Sequence, residues 1–248
     1  MASLDNRLAL VTGASRGVGR AVALALAEAG AHVIALARTQ GALEELDDEI
    51  RARGGEATLV PADVTDYEAL DRLGAAIHER WGKLDIFVGN AAVLGPITPL
   101  GHADQKDWDK VMSVNVTANW RLIRSLDPLL RKSDAGRVVL VSSGASQRDE
   151  MAAYWGLYAA SKAALDALAR TYASETRNLT PIKVMSVNPG PLRTKMRAAA
   201  MPGEDPMTLR TPQEFAPKLV ALCSPEWSET GKIYDFPTDR VLSFRGAA

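Results

Sequence analysis

The chain has 248 residues, 47% apolar and 24% charged, with a net charge of −1. That is the balance of an ordinary globular protein, and near-neutral charge gives no electrostatic basis for binding nucleic acid or an anionic membrane. Cys223 is the only cysteine, and His32, His78 and His102 have no short ligand spacing, so neither an intrachain disulfide nor a metal is expected.

The opening residues, MASLDNRLALVTG, hold no signal-peptide core, and a cytoplasmic protein is expected. LALVTG at 8–13 reads as the first strand, followed by a helix over 17–29 and the strand HVIALA at 32–37. The apolar run at 21–37 is interrupted by Glu28, Gly30 and His32, which fits a helix, turn and strand better than a membrane span. Next come a helix over 41–53, a strand at 57–62, a helix over 66–81 and a strand at 84–89. The second half reads as a long helix over 104–131, strand RVVLVSS at 137–143, a helix over 156–178 and strand IKVMSVNP at 182–189. A helix over 212–223 and the strand KIYDF at 232–236 complete the series.

Gly30 and Gly54 fall where helix C-caps belong, and Thr211, Pro212 and Glu214 form the pattern of a capping box. The strands are apolar almost throughout, as parallel strands covered on both faces are. Strand and helix in alternation predict right-handed βαβ units: an α/β, Rossmann-type, doubly wound parallel sheet of about seven strands. No repeat or linker divides the chain, so residues 1–248 are expected to form one domain. The least regular stretch, residues 190–210, reads either as a segment over a site or as a long surface loop.

The first strand runs into TGASRGVGR, with Gly13, Gly17 and Gly19 between strand and helix. Missing side chains there let backbone approach a pyrophosphate, and the helix N-terminus offers free N–H groups with partial positive charge. Ser15, Arg16 and Val18 belong to the same candidate cofactor turn.

The spacing G-x-x-x-G-x-G after Thr12 resembles that of the short-chain dehydrogenase/reductase family. Further landmarks follow in family order: Asp63-Val64, Asn90-Ala91-Ala92, Asn115, Ser142-Ser143, Tyr158-x-x-x-Lys162, Pro189-Gly190 and Thr194. The resemblance implies a nicotinamide cofactor touched by these segments, with Thr194 at its carboxamide. It further implies that Tyr158 exchanges the proton, Lys162 binds the nicotinamide ribose, Ser143 holds the substrate oxygen, and Asn115 positions a relay water. Family members also associate as homodimers or homotetramers, here expected through the helices at 104–131 and 156–178.

Strand two ends in Arg38-Thr39, where an NAD-binding chain carries an acid, and the next acid is Glu44. A guanidinium can hold a 2′-phosphate that an acid would repel, and Arg16 is a second basic candidate, so NADP(H) is expected.

The chemistry can be reasoned from the residues as well. Reducing a carbonyl by hydride leaves an oxyanion that must gain a proton, and a tyrosine, with a pKa of about 10, needs a neighbouring cation to act as a base near neutrality. Lys162, one helical turn after Tyr158, is placed to supply that field. Tyr154 has Tyr158 four residues on, not a lysine, and is expected in the wall of the substrate pocket. Ser143, at the end of an apolar strand, is preferred over Ser146 as the oxygen ligand, although Ser146 stands nearer the family's spacing to the tyrosine.

The expected function is reversible hydride transfer between NADPH and a small carbonyl or secondary alcohol, with an oxoacyl thioester among the candidates. The pattern is closest to 3-oxoacyl-[acyl-carrier-protein] reductases, but YDFPTDRVLSFRG replaces their aspartate-glycine-rich turn after strand seven. The alternatives are a non-catalytic NADP-binding regulator on the same fold and a sugar-nucleotide epimerase or dehydratase. The short C-terminal region and the glycine spacing disfavour the epimerase.

Overall fold

A computed structural model describes residues 3–146 and 153–244. Its strands are β1 (Leu8–Thr12), β2 (His32–Ala37), β3 (Ala57–Pro61), β4 (Ile86–Gly89), β5 (Arg137–Val141), β6 (Lys183–Asn188), β7 (Lys232–Asp235) and β8 (Arg240–Leu242). They form one sheet in the order β3-β2-β1-β4-β5-β6-β7-β8. The first seven run parallel, and β8 turns back antiparallel on β7, pairing Tyr234 with Val241. The expectation of about seven strands thus misses one short edge strand. Its chain reversal uses Asp239 at φ 53°, a left-handed position more often filled by glycine.

The helices are α1 (Gly17–Glu28), α2 (Gln40–Ala52), α3 (Tyr67–Trp81), α4 (Gln105–Met112), α5 (Ala118–Leu130), α6 (Gly156–Thr176), α7 (Lys195–Ala200) and α8 (Pro212–Leu222). Strand residues alternate between the two faces of the sheet. Ala9 and Val11 of β1 pack with α1, α2 and α8, whereas Leu8 and Leu10 pack with α3, α5 and α6. The capping box at Thr211 and Glu214 forms with Pro212 at the first helical position, and Gly30 and Gly54 take positive φ just past their helices.

The helix expected over 104–131 is interrupted. Ser113–Thr117 form a π turn between α4 and α5, and Asn115 lies inside it, fully buried. Its amide brackets Val93, accepting from the Val93 N–H and donating to the Val93 carbonyl, both at 2.9 Å. A π turn admits one extra residue without ending the helix, so hydrophobic periodicity does not reveal it.

The irregular stretch at 190–210 folds into a closed flap. Leu192 pairs with Arg210 at its base, Thr194 caps α7, and Arg197 binds Glu204 through two hydrogen bonds of 2.6 Å.

The N-terminal ends of the strands bury hydrogen-bonded charges. Asp85, just before β4, is inaccessible and accepts from the Leu8 N–H (2.9 Å), Ser133 Oγ (2.6 Å) and Lys83 Nζ (3.0 Å). Arg137, which opens β5, is buried too, and its guanidinium donates to the carbonyls of Gly136, Pro181, Ser224, Pro225 and Trp227.

Candidate active site

The strand order reverses between β1 and β4, so the loops leaving their C-terminal ends diverge and open a crevice, where ligands bind in doubly wound sheets. Thr12 organises the crevice floor. Its Oγ1 accepts from the N–H groups of Asn90 and Ala91, both at 3.0 Å, while Asn90 Nδ2 donates to the Thr12 carbonyl at 2.8 Å. The glycine turn is thereby tied to the segment Asn90-Ala91-Ala92.

Gly19 is needed for packing, because a Cβ there would stand 2.3 Å from the Gly13 carbonyl oxygen. Gly17, at φ 56°, faces open space, with only Thr194 within 4 Å of its Cβ position. The N-cap of α1 is Arg16, whose side chain makes no capping bond, and no acid occupies the first turn. A bare, uncapped helix N-terminus under a glycine cradle fits the phosphates of a dinucleotide. Ser15 lines the same turn half-buried, and Val18 packs its side chain against the core. Val64 is likewise buried in the core, so only its backbone can face the crevice.

Arg16 and Arg38 are both exposed at this end of the sheet. Arg38 pairs with Asp63 at 3.6 Å, a contact the sequence reading did not anticipate. Burial raises the Asp63 pKa, but the Thr65 N–H and hydroxyl, together with Arg38, outweigh it and hold the carboxyl below its usual value.

Beyond β5, Ser143 faces the Tyr158 phenol across the crevice, and its Oγ also accepts from the Ala145 N–H at 3.2 Å. Tyr158, in the first turn of α6, rests edge-on against Trp155, with ring centroids 6.0 Å apart. Lys162 lies one turn below. It is buried, donates from Nζ to the Val141 carbonyl at 2.7 Å, and places its ammonium 5.7 Å from the Tyr158 ring centroid.

Burial pushes the Tyr158 phenol up to about 12, and its hydrogen bond with Ser143 acts in the opposite direction. Burial also lowers Lys162 to about 8, with Asp166 opposing. Both side chains are desolvated, which disfavours phenolate and ammonium alike. At neutral pH the phenol is therefore protonated, and the lysine retains most of its charge.

The two serines separate cleanly. Ser146 Oγ turns away from the phenol and lies 2.8 Å from Asp166 Oδ2 and 2.8 Å from the Ser143 carbonyl. Tyr154 sits on the rim with more than half its surface exposed, and its carbonyl accepts from the Thr98 N–H at 3.1 Å. Its neighbouring loop, expected to shape the pocket, lies outside the described residues at 147–152. Asn115 adds a 2.9 Å hydrogen bond to Ser161, joining the Val93 segment to α6, and Asn119 Nδ2 donates to the Asn115 carbonyl at 2.9 Å.

Asn188, absent from the expected site, is its main crosslink. Its Oδ1 accepts from Gly144 N–H (2.8 Å) and Gly190 N–H (3.0 Å), and its Nδ2 donates to Asp235 at 2.6 Å. It holds the Ser143 turn and the Pro189-Gly190 turn together. Its place immediately before Pro189-Gly190 was the available clue.

Comparison with known proteins agrees with this arrangement. The family model for short chain dehydrogenases matches residues 7–205. An uncharacterized oxidoreductase of Escherichia coli K12, YciK, is 36% identical over 94% of this chain and 92% of its own length. A short chain dehydrogenase structure from Salmonella enterica serovar Typhi is 37% identical, with a TM-score of 0.89 over 94% of this chain and 96% of that one. A structure from Escherichia coli CFT073 in complex with NADPH is 36% identical, with a TM-score of 0.87 over 94% of this chain and 97% of that one. Among the described residues, no helix is long and apolar enough to cross a membrane. A doubly wound sheet with its glycine turn at the reversal point, matched along most of its length in both sequence and structure, makes the chain a member of the short chain dehydrogenase family.

Proposed function

We propose that the chain reduces a carbonyl of a small molecule with NADPH, reversibly, and that Tyr158 exchanges the proton. The observation that carries this reading is the Tyr158 phenol, held protonated and facing Ser143, with the Lys162 ammonium one helical turn beneath it. The glycine cradle and the uncapped start of α1 fit a dinucleotide, and Arg38 with Arg16 fits its 2′-phosphate. A homologous chain binds NADPH, which supports the same cofactor here. When bound, NADPH supplies the hydride.

The remaining steps belong to the protein. Ser143 donates a hydrogen bond to the carbonyl oxygen and stabilises the charge that develops on it. Tyr158, a poor base but a ready acid at its raised pKa, delivers the proton that completes the alcohol. Lys162, still largely charged at pH 7, stabilises the phenolate left behind and returns a proton to it. The structural part of Asn115 is to hold the Val93 segment against α6. Thr194, beside Gly17 at the start of the flap, would touch the cofactor, a reading its closeness to the glycine turn supports. The half-exposed Trp108 and Trp120 on α4 and α5 support self-association as a homodimer or homotetramer, and a cytoplasmic location belongs to the same proposal.

The test is NADPH oxidation against a panel of ketones, aldehydes and oxoacyl thioesters. Tyr158→Phe should abolish turnover of whichever carbonyl the parent reduces while leaving NADPH bound, and Tyr154→Phe should mainly change preference within the panel. Reversal of those two effects would refute the proton-transfer role. Tight NADPH binding without turnover of any carbonyl would instead favour a non-catalytic regulator.

A further inference from the structure

Asp166 is a buried acid that the proposed chemistry does not use. It lies on the inner side of α6, only 4% exposed, four residues beyond Lys162. Its Oδ2 takes the Ser146 hydroxyl at 2.8 Å, while its buried Oδ1 has no partner among the described residues. Ser146 in turn grips the residue that faces the phenol: its N–H donates to the Ser143 carbonyl at 3.1 Å, and its Oγ lies 2.8 Å from the same oxygen. Ser142 Oγ, at 3.3 Å from Ser146 Oγ, completes the cluster. A buried carboxylate with one lone partner is costly in a core, and this one connects the Ser143 turn to the helix carrying Tyr158 and Lys162.

We propose that Asp166 is a positioning residue for proton transfer: through Ser146 it fixes the turn that aims Ser143, and across one helical turn its charge sustains the Lys162 ammonium. The inference rests on the proposed roles of Ser143, Tyr158 and Lys162. Among the described residues, Asp166 is the charged group that acts on Lys162. The described part of the turn after β5 contributes the hydroxyls of Ser142, Ser143 and Ser146. The π turn contributes the neutral Asn115, and β6 places Lys183 at the far end of the strand. On α4, Asp109 and Lys110 are exposed and Asp107 partly so, and Arg170, the next turn of α6, stacks over Phe244 at 5.0 Å. Asp166 opposes the burial that lowers the Lys162 pKa.

Two readouts test the two arms. Lysine-labelled full-length chain is titrated by NMR to obtain the Lys162 midpoint, and steady-state kinetics are measured on the carbonyl that the parent reduces. Asp166→Asn keeps an acceptor for Ser146 but removes the charge. It should lower the Lys162 midpoint from about 8 by about one pH unit. Its kcat should fall about tenfold, with KM and NADPH affinity within about threefold of the parent. Ser146→Ala keeps the charge and releases the turn, so kcat should fall while the Lys162 midpoint stays put. An unchanged midpoint in Asp166→Asn, or undiminished kcat in both variants, overturns the proposal. Failure of the underlying reading is separable: Tyr158→Phe would then retain turnover whatever the Lys162 titration showed.

Discussion

Replacing Lys162 by methionine keeps a long unbranched side chain but removes an ammonium from a site only 2% exposed. In the folded chain the group titrates near 8, against an ordinary value of 10.5. At 1.36 kcal/mol per pH unit, that gap corresponds to about 3 kcal/mol of destabilisation when the group is charged. The sign follows from a lowered folded-state pKa. The destabilisation is fully present below pH 8, fades as pH rises, and is gone above 10.5. Between pH 7 and 10 the parent should therefore gain roughly 2 to 3 kcal/mol relative to Lys162→Met. The lost hydrogen bond to Val141 adds about 1 to 2 kcal/mol to the cost of the substitution. Urea unfolding of both proteins at pH 7, 8.5 and 10 measures it. A stability difference that stays constant across the three pH values would refute the claim that Lys162 is held charged against its burial.

Gly19→Ala should destabilise the fold by roughly 2 to 4 kcal/mol and weaken NADPH binding by calorimetry, because its Cβ would meet the Gly13 carbonyl oxygen at 2.3 Å. Asn188→Ala leaves two backbone N–H groups and one oxygen of the buried Asp235 carboxylate unpaired, the other keeping Thr238; unfolding free energy should fall by roughly 2 to 4 kcal/mol, and the remaining folded enzyme should show a lower kcat. Arg38→Asp sets a second carboxylate beside Asp63 and should move cofactor preference from NADPH toward NADH; an unchanged ratio of the two affinities would remove Arg38 from the 2′-phosphate site.

The parts of the fold legible in the sequence were those carried by side-chain pattern. Runs such as HVIALA became central strands because two-sided burial leaves a contiguous apolar signature, and Thr211-Pro212-x-Glu214 became a capped helix start because its bonds are local. Three features left no such trace. The π turn around Asn115 adds one residue to a continuing helix, which blurs its periodicity without ending it. Strand β8 is three residues long and barely buried, so its identity comes from pairing with β7 and not from its own pattern. The Asn188 and Asp166 bridges join residues 44 and 20 positions apart, which only the folded chain brings together. The burial of both groups was hidden for the same reason: tyrosine and lysine one turn apart in sequence do not reveal how deeply the fold sinks them.

The pairing of Asp85 with Leu8, Ser133 and Lys83, and the clasp of Arg137 on five carbonyls, place two densely bonded charged groups at the end of the sheet away from the crevice. That separates two kinds of sequence freedom. Apart from Thr12, Gly19 and Asn188, loops at the crevice end can exchange residues to suit a new substrate without loosening the clamp at the other end. Changes at Asp85 or Arg137 have no route to selectivity and act on lifetime of the fold alone. The sheet works as a chuck: gripped firmly at one end, it can be retooled at the other.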